Sequence, residues 1–293
     1  TPPLRPPHPC TIRTSRVALY PASWVCFRFA YISPAGSAVP TGPVLQPTRS
    51  KFADADAGYG ESAPPLAVID DLLSAATLSH LLEHARASTI WHDTQAGYLL
   101  ASWDRGYGNE LTSRIASELR AAMPATFCEH QLSGMHLYSY DDELASMRSI
   151  SADDAALTVH VWLTPDSALL PDPEGGRGAE SQSDGDARPS GETSHEPALI
   201  VYLGQPSQAT SQLLYGRSWK LYRDALHHDL AQDGWRNVSV PYKQNRAVIV
   251  DSSLLHVPGR VAFQPGYVNR RLELLLMFGQ KGDMCNGDFG IDG

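Results

Sequence analysis

No CxxC pair occurs in this 293-residue chain, and its four cysteines, Cys10, Cys26, Cys128 and Cys285, stand far apart. Such spacing indicates neither a zinc knuckle nor a disulfide framework, and free thiols are expected. Long apolar runs are missing too. The most apolar early stretch, residues 17 to 32, is interrupted by Pro21 and Arg28 and falls short of the roughly 20 residues that span a bilayer. No transmembrane helix is expected. Positive charge is scarce, with 23 Lys and Arg against 32 Asp and Glu and a formal net charge of −9. Phosphate binding needs a concentrated basic surface, so no nucleic-acid partner is expected. A GxSxG elbow is absent around Ser252, Ser253 and His256, which leaves a hydrolase reading of those residues unsupported.

Acidic residues are themselves unevenly placed. Residues 1 to 53 contain no Asp or Glu but carry Arg5, Arg13, Arg16, Arg28, Arg49 and Lys51 among many Pro, Ser and Thr. An acid-poor, Arg- and Ser-bearing segment reads as targeting-like or unstructured sequence, and residues 1–65 are expected to be an N-terminal extension. Taking those six basic residues from the 23 leaves 17 against 32 acidic ones, so the remainder carries about −15. Cytoplasm or an organelle interior suits free cysteines.

From Leu66 the texture changes. The run LAVIDDLLSAATLSHLLEHARAS reads as a strand, an acidic turn and a helix. In NELTSRIASELRAAMP, Leu111, Ile115 and Leu119 fall four apart, which predicts a second helix ending near Pro124. Beyond it, SGMHLYSYD, AALTVHVWLTPD, ALIVYLG, RNVSVPY, NRAVIVDS and RRLELLLMFG are short, β-branched or aromatic, and bounded by turn residues. Successive strands of this kind predict a mainly β sandwich or barrel with flanking α-helices. The stretch of about 171–197, rich in Gly, Ser, Pro and charge, is expected to be a low-complexity insertion between two strands. Residues 280–293 are expected to be a C-terminal tail.

Chemistry-bearing residues gather in that β region. Ser151-Ala152-Asp153 precedes the aromatic strand at Thr158–Thr164; His256 ends RAVIVDSSLLH, and Arg270 follows fourteen residues later. Together with ADDAALTVHVWLTPDSALLPDPEGG, VPYKQNRAVIVDSSLLHVPG and FQPGYVNRRLELLLMFG, this order resembles the prolyl 4-hydroxylase-like branch of the Fe(II)/2-oxoglutarate dioxygenases. The resemblance covers residues 66–279 and implies a double-stranded β-helix (jelly-roll, cupin-like barrel). It also implies Fe(II) as metal, 2-oxoglutarate as cosubstrate and ascorbate as an auxiliary reductant. Asp153 and His256 match two of the three iron ligands; the first ligand position, 151, holds Ser instead of His.

His160, sharing a strand face with Thr158 and Trp162, is the substitute ligand considered, against the commoner role of a buried, hydrogen-bonded histidine. By resemblance, a basic residue on the last strand holds the cosubstrate's distal carboxylate. Arg270 is chosen, against the alternative of a rim salt bridge at the barrel mouth, because it shares a face with Leu272, Leu274 and Leu276, whereas Arg271 and Glu273 are expected to pair outward. Tyr138 and Tyr140 resemble tyrosines that line the keto-acid pocket. His227 and His228 read as a solvated pair, and Asp154 as a turn residue. Two functions follow. One is an oxygenase that hydroxylates a carbon of a peptide, protein or small molecule while 2-oxoglutarate is decarboxylated to succinate. The other is a non-catalytic binding module of the same fold that has lost its metal.

Overall fold

The computed structural model describes residues 39–58, 66–95, 97–128, 130–141, 150–170, 197–204, 226, 228–229, 235–259 and 261–281. Most of the expected insertion, the far N-terminus, the loop 142–149, His227 and residues 282–293 lie outside these.

Among the described residues, helix α1 (Arg49–Gly58) precedes strand β1 (Leu66–Ile69) and helix α2 (Ala75–Ala87). Strands β2 (Asp93–Gln95) and β3 (Tyr98–Ser102) lead to helices α3 (Glu110–Ala122) and α4 (Pro124–Phe127). Then come β4 (Leu132–Tyr140), β5 (Leu157–Trp162), β6 (Pro197–Leu203), β7 (Arg236–Pro241), β8 (Ala247–Asp251), β9 (His256–Pro258) and β10 (Arg271–Phe278). None of the described helices is long and apolar enough to cross a membrane.

Seven strands form one antiparallel sheet in the order β1-β8-β5-β10-β4-β3-β2, and three form a second in the order β7-β6-β9. Ser151 pairs with His256 and so extends the second sheet by one more bridge beside β9. Followed along the chain, the path runs from β4 to the Ser151 bridge, back to β5, across to β6 and β7, back to β8, across to β9 and back to β10. This alternation between two facing sheets is the double-stranded β-helix.

Two apolar layers follow from the alternation of side chains along strands. On the outer face of the large sheet, Leu272, Leu274, Leu276 and Phe278 of β10 pack with Val159 and Val161 of β5 beneath Leu81 and Ala85 of α2 and Leu111, Ile115 and Leu119 of α3. Between the sheets lie Trp162, Val248, Val250, Leu199, Val201 and Tyr242. Both long helices start where side chains satisfy otherwise unpaired amides. Ser74 accepts from the Thr77 amide before α2, and Asn109 and Thr112 form a reciprocal capping box before α3.

The packed body begins earlier than residue 66. Val44 and Phe52 are buried in the helix-side layer. The amides of Val44 and Leu45 donate to the Glu118 carboxylate, and Leu45 bridges Leu73. Part of the expected extension is therefore a strap over the domain. Its polar composition concealed this because only a few apolar anchors make the contact. Cys128 is also disulfide-bonded, contrary to the free thiols expected; the other three cysteines lie outside the described residues. Wide sequence spacing does not preclude pairing once the chain is folded.

Gly259, just after β9, sits where a Cβ would come 1.5 Å from the Pro197 carbonyl oxygen. Gly259→Ala must separate β9 from β6 and is expected to destabilise by at least about 2 kcal/mol, read as a lower urea midpoint. At the other edge, Arg246 and Lys243 clasp Asp70, with Arg246 Nε 2.6 Å and Lys243 Nζ 3.1 Å from its carboxylate. The Arg246 hydrogen bond is the largest influence holding the Asp70 carboxyl below its usual value; partial burial opposes it, and Lys243 adds to it. A depressed folded value stabilises above the unfolded pKa of about 3.9 and loses that contribution as pH falls through the folded value. Asp70→Asn should therefore destabilise by less than about 1 kcal/mol at neutral pH. The gap to the unmodified chain should shrink below about pH 4 in acid-unfolding curves.

Candidate metal centre

Three side chains, two from strands and one from the segment before β5, converge between the sheets. His160 lies in the middle of β5, His256 opens β9, and Asp153 follows the Ser151 bridge, where its amide donates to the Ser252 carbonyl at 3.2 Å. The backbone exchange between Ser151 and His256, at 2.9 and 2.8 Å, sets Asp153 beside His256. One metal-capable atom from each of Asp153, His160 and His256 lies within 4.8 Å of the others. The His160 and His256 ring centroids are 5.4 Å apart at an interplanar angle of 80°.

Each imidazole is held by its other nitrogen. His256 Nδ1 lies 3.1 Å from the Leu254 carbonyl, so its N–H donates there, and Nε2 stands 3.6 Å from Asp153 Oδ2. His160 Nδ1 lies 2.7 Å from Glu273 Oε1. The remaining His160 Nε2 and Asp153 Oδ2 are buried and make no hydrogen bond. Burial pushes His256 below its ordinary pKa despite the opposing Asp153 charge, which favours the neutral, ligating imidazole. Two imidazoles and one carboxylate whose ligand-capable atoms converge, each imidazole oriented by a carbonyl or carboxylate, match the donor set and supporting shell of non-haem Fe(II) centres. Chemically and geometrically, these residues fit a metal.

Ser151 enters this arrangement through its backbone, and His160 supplies the third ligand-capable atom. No sequence spacing signals that contribution, because His160 comes from a different strand than the expected pair. A diagonal relation could have revealed its support. His160 is paired with Leu275 and Trp162 with Glu273 on adjacent strands, which places His160 and Glu273 as diagonal neighbours on one face.

The face assignment of the two arginines is reversed from expectation. Arg271, Glu273 and Leu275 face the second sheet with His160 and Trp162, while Leu272, Leu274 and Leu276 lie under the helices. The large sheet is covered on both sides, and its most apolar row marks the helix side. Arg271 is completely buried and Glu273 is 1% exposed. The Arg271 guanidinium donates to the carbonyls of Gly259 at 3.2 Å and Ala198 at 3.0 Å and to Glu273 Oε2 at 3.1 Å. It lies 5.0 Å from the Tyr140 ring centroid and 5.8 Å from that of Trp162. Arg270 instead pairs with Asp141 at 2.6 Å and is about one-third exposed.

Tyr138 and Tyr140 share the inner face; their rings stack at 5.6 Å. Burial, reinforced by Asp153, raises the Tyr138 phenol well above its usual value, so it remains a neutral hydroxyl, 3.2 Å from His136 Nδ1. His228 is exposed.

The fold and the side-chain cluster define a double-stranded β-helix protein with a candidate two-histidine, one-aspartate metal centre. No family model matches the chain, and no curated protein does. Among solved structures, the chain is similar to the non-haem α-ketoglutarate-dependent carbocyclase SnoK from nogalamycin biosynthesis. That likeness has 12% identity and a TM-score of 0.46, over 81% of this chain and 87% of that one. A Pseudomonas putida prolyl-4-hydroxylase is similar at 12% identity and a TM-score of 0.43, over 78% and 99%. HygX from Streptomyces hygroscopicus, with nickel and 2-oxoglutarate bound, is similar at 10% identity and a TM-score of 0.42, over 81% and 89%.

Proposed function

We propose that this chain is a non-haem Fe(II) oxygenase of the 2-oxo-acid-dependent kind, whose metal is held by Asp153, His160 and His256. The observation that carries this reading is the cluster itself: ligand-capable atoms within 4.8 Å of one another, with His160 Nε2 and Asp153 Oδ2 buried and making no hydrogen bond. Bound iron would supply the activation of O2. In the overall reaction, one oxygen atom enters a C–H bond to give an alcohol. The other enters the acid formed as the 2-oxo acid loses CO2. The sequence resemblance makes 2-oxoglutarate, decarboxylated to succinate, the first keto acid to try.

The chain's own residues have definable parts in this reading. Leu254 and Glu273 hold the two imidazoles in the ligating tautomer. Tyr138, kept neutral, offers a hydroxyl on the same wall. Trp162, Val248 and Val250 exclude water from the interior. The acceptor carbon belongs to a peptide, a protein or a small molecule.

The test is anaerobic loading with Fe(II), addition of a 2-oxo acid, then O2, with CO2 release measured. Release that requires metal supports the reading, and absence of release with every metal and keto acid overturns it. Stoichiometric metal binding without CO2 would make the chain a non-catalytic, metal-holding module.

A further inference from the structure

The inner wall holds a carboxylate of its own beside its arginine. Among the described residues of β4, β5, β6, β8, β9 and β10, Arg271 is the only Lys or Arg. Its terminal nitrogens already meet Glu273 Oε2 at 3.1 Å and two backbone carbonyls, its Nε is buried without a hydrogen bond, and the side chain has no exposed surface. Glu273 uses its other oxygen to hold His160 at 2.7 Å. The nearby Arg270 is paired with Asp141.

A dicarboxylate seeking Arg271 would have to displace Glu273 or share one guanidinium with it. Displacement would strip a buried carboxylate of its cation, and sharing would bring two like charges together in a water-poor interior. Both outcomes oppose a second carboxylate. An uncharged tail meets no such repulsion, and the buried side chains on the same face, Trp162, Val248, Val250 and Leu275, are apolar.

We infer that Glu273 occupies Arg271 in place of a ligand carboxylate, and that the site selects a 2-oxo monocarboxylic acid over 2-oxoglutarate. The inference rests on the metal-dependent, keto-acid reading given above and adds the class of keto acid. Glu273 is its specificity-determining residue. The Arg271–Glu273–His160 chain also gives that residue a positioning role, because the same carboxylate orients a metal ligand.

The matched probes are 2-oxopentanoate and 2-oxopentanedioate (2-oxoglutarate), which share a five-carbon backbone and differ in the distal carboxylate. Both are titrated calorimetrically into the full chain saturated with Fe(II) under anaerobic conditions. The unmodified protein should bind the monoacid on the order of tenfold more tightly, the factor that a single unmade buried hydrogen bond commonly produces. Glu273→Gln retains an acceptor for His160 while releasing the charge on Arg271, and should shift the ratio toward the diacid by a similar factor. Preference of the unmodified chain for the diacid overturns the inference and leaves the keto-acid reading standing. An unchanged ratio in a folded, metal-saturated Glu273→Gln overturns it as well. Failure of both acids to bind the metal-loaded chain overturns the keto-acid reading and this inference together. The ratio in the unmodified chain decides the matter if the variant does not fold.

Discussion

Replacing His160 by Ala will lower Fe(II) affinity by at least about 100-fold, while Ser151→Ala will leave it nearly unchanged. Loss of supporting residues around a metal commonly costs about 10–100-fold, and loss of a direct ligand exceeds that range. His160 is placed to be such a ligand. Its Nε2 is buried without a hydrogen-bond partner, and its Nδ1 is committed to Glu273. The substitution removes a ring from an interior site, so some destabilisation accompanies it. Circular dichroism and a denaturant midpoint separate that effect from metal loss. Anaerobic titration of a folded His160→Ala protein is the decisive readout. Retained affinity would remove His160 from the ligand set.

Arg271→Met carries the largest expected effect on stability. The side chain is fully buried, ties β10 to Ala198 of β6 and to the turn at Gly259, and provides the cation for a carboxylate that is 1% exposed. Breaking such a pair by removing one partner typically costs about 3–5 kcal/mol, because the remaining charge stays buried. A fall in urea midpoint of that size is expected. Adding Glu273→Gln should recover part of the loss, since the uncompensated charge is then gone, and the two substitutions should be non-additive in a double-mutant cycle. A loss below about 1 kcal/mol for Arg271→Met would contradict the placement of this pair in the interior.

Much of the scaffold was legible because its signals are local. The four-residue spacing of Leu111, Ile115 and Leu119 specified α3, all three being fully buried, and the alternating runs specified β4 through β8 and β10. Strands β2 and β3 and the strap carrying Val44 and Phe52 were not legible. β2 is three polar residues, β3 only the five residues YLLAS, and the strap a polar run with few apolar anchors; their stability comes from pairing through β3 to β4 and from packing on distant helices. Asp153 and His256 were recognisable as an ordered pair along the chain.

Which way the arginines faced was a different kind of question. Period two correctly separated Arg270 from Arg271, but it could not say which row lay inside, because helices make the outer face as apolar as any interior. The rim pair Arg270–Asp141 and the buried Arg271–Glu273 pair resolve it. His160 was named from the sequence as a substitute ligand, against the commoner role of a buried, hydrogen-bonded histidine. Its partnership with Asp153 and His256 needs the register of three strands at once.

The most direct test of the account compares Fe(II) titrations of the unmodified chain and of Ser151→His under anaerobic conditions. If Asp153, His160 and His256 form the metal centre, the unmodified protein binds one Fe(II), and restoring histidine at position 151 does not tighten it. Binding seen only in Ser151→His would contradict the account, because it would show that the centre lacks a ligand that His160 does not replace.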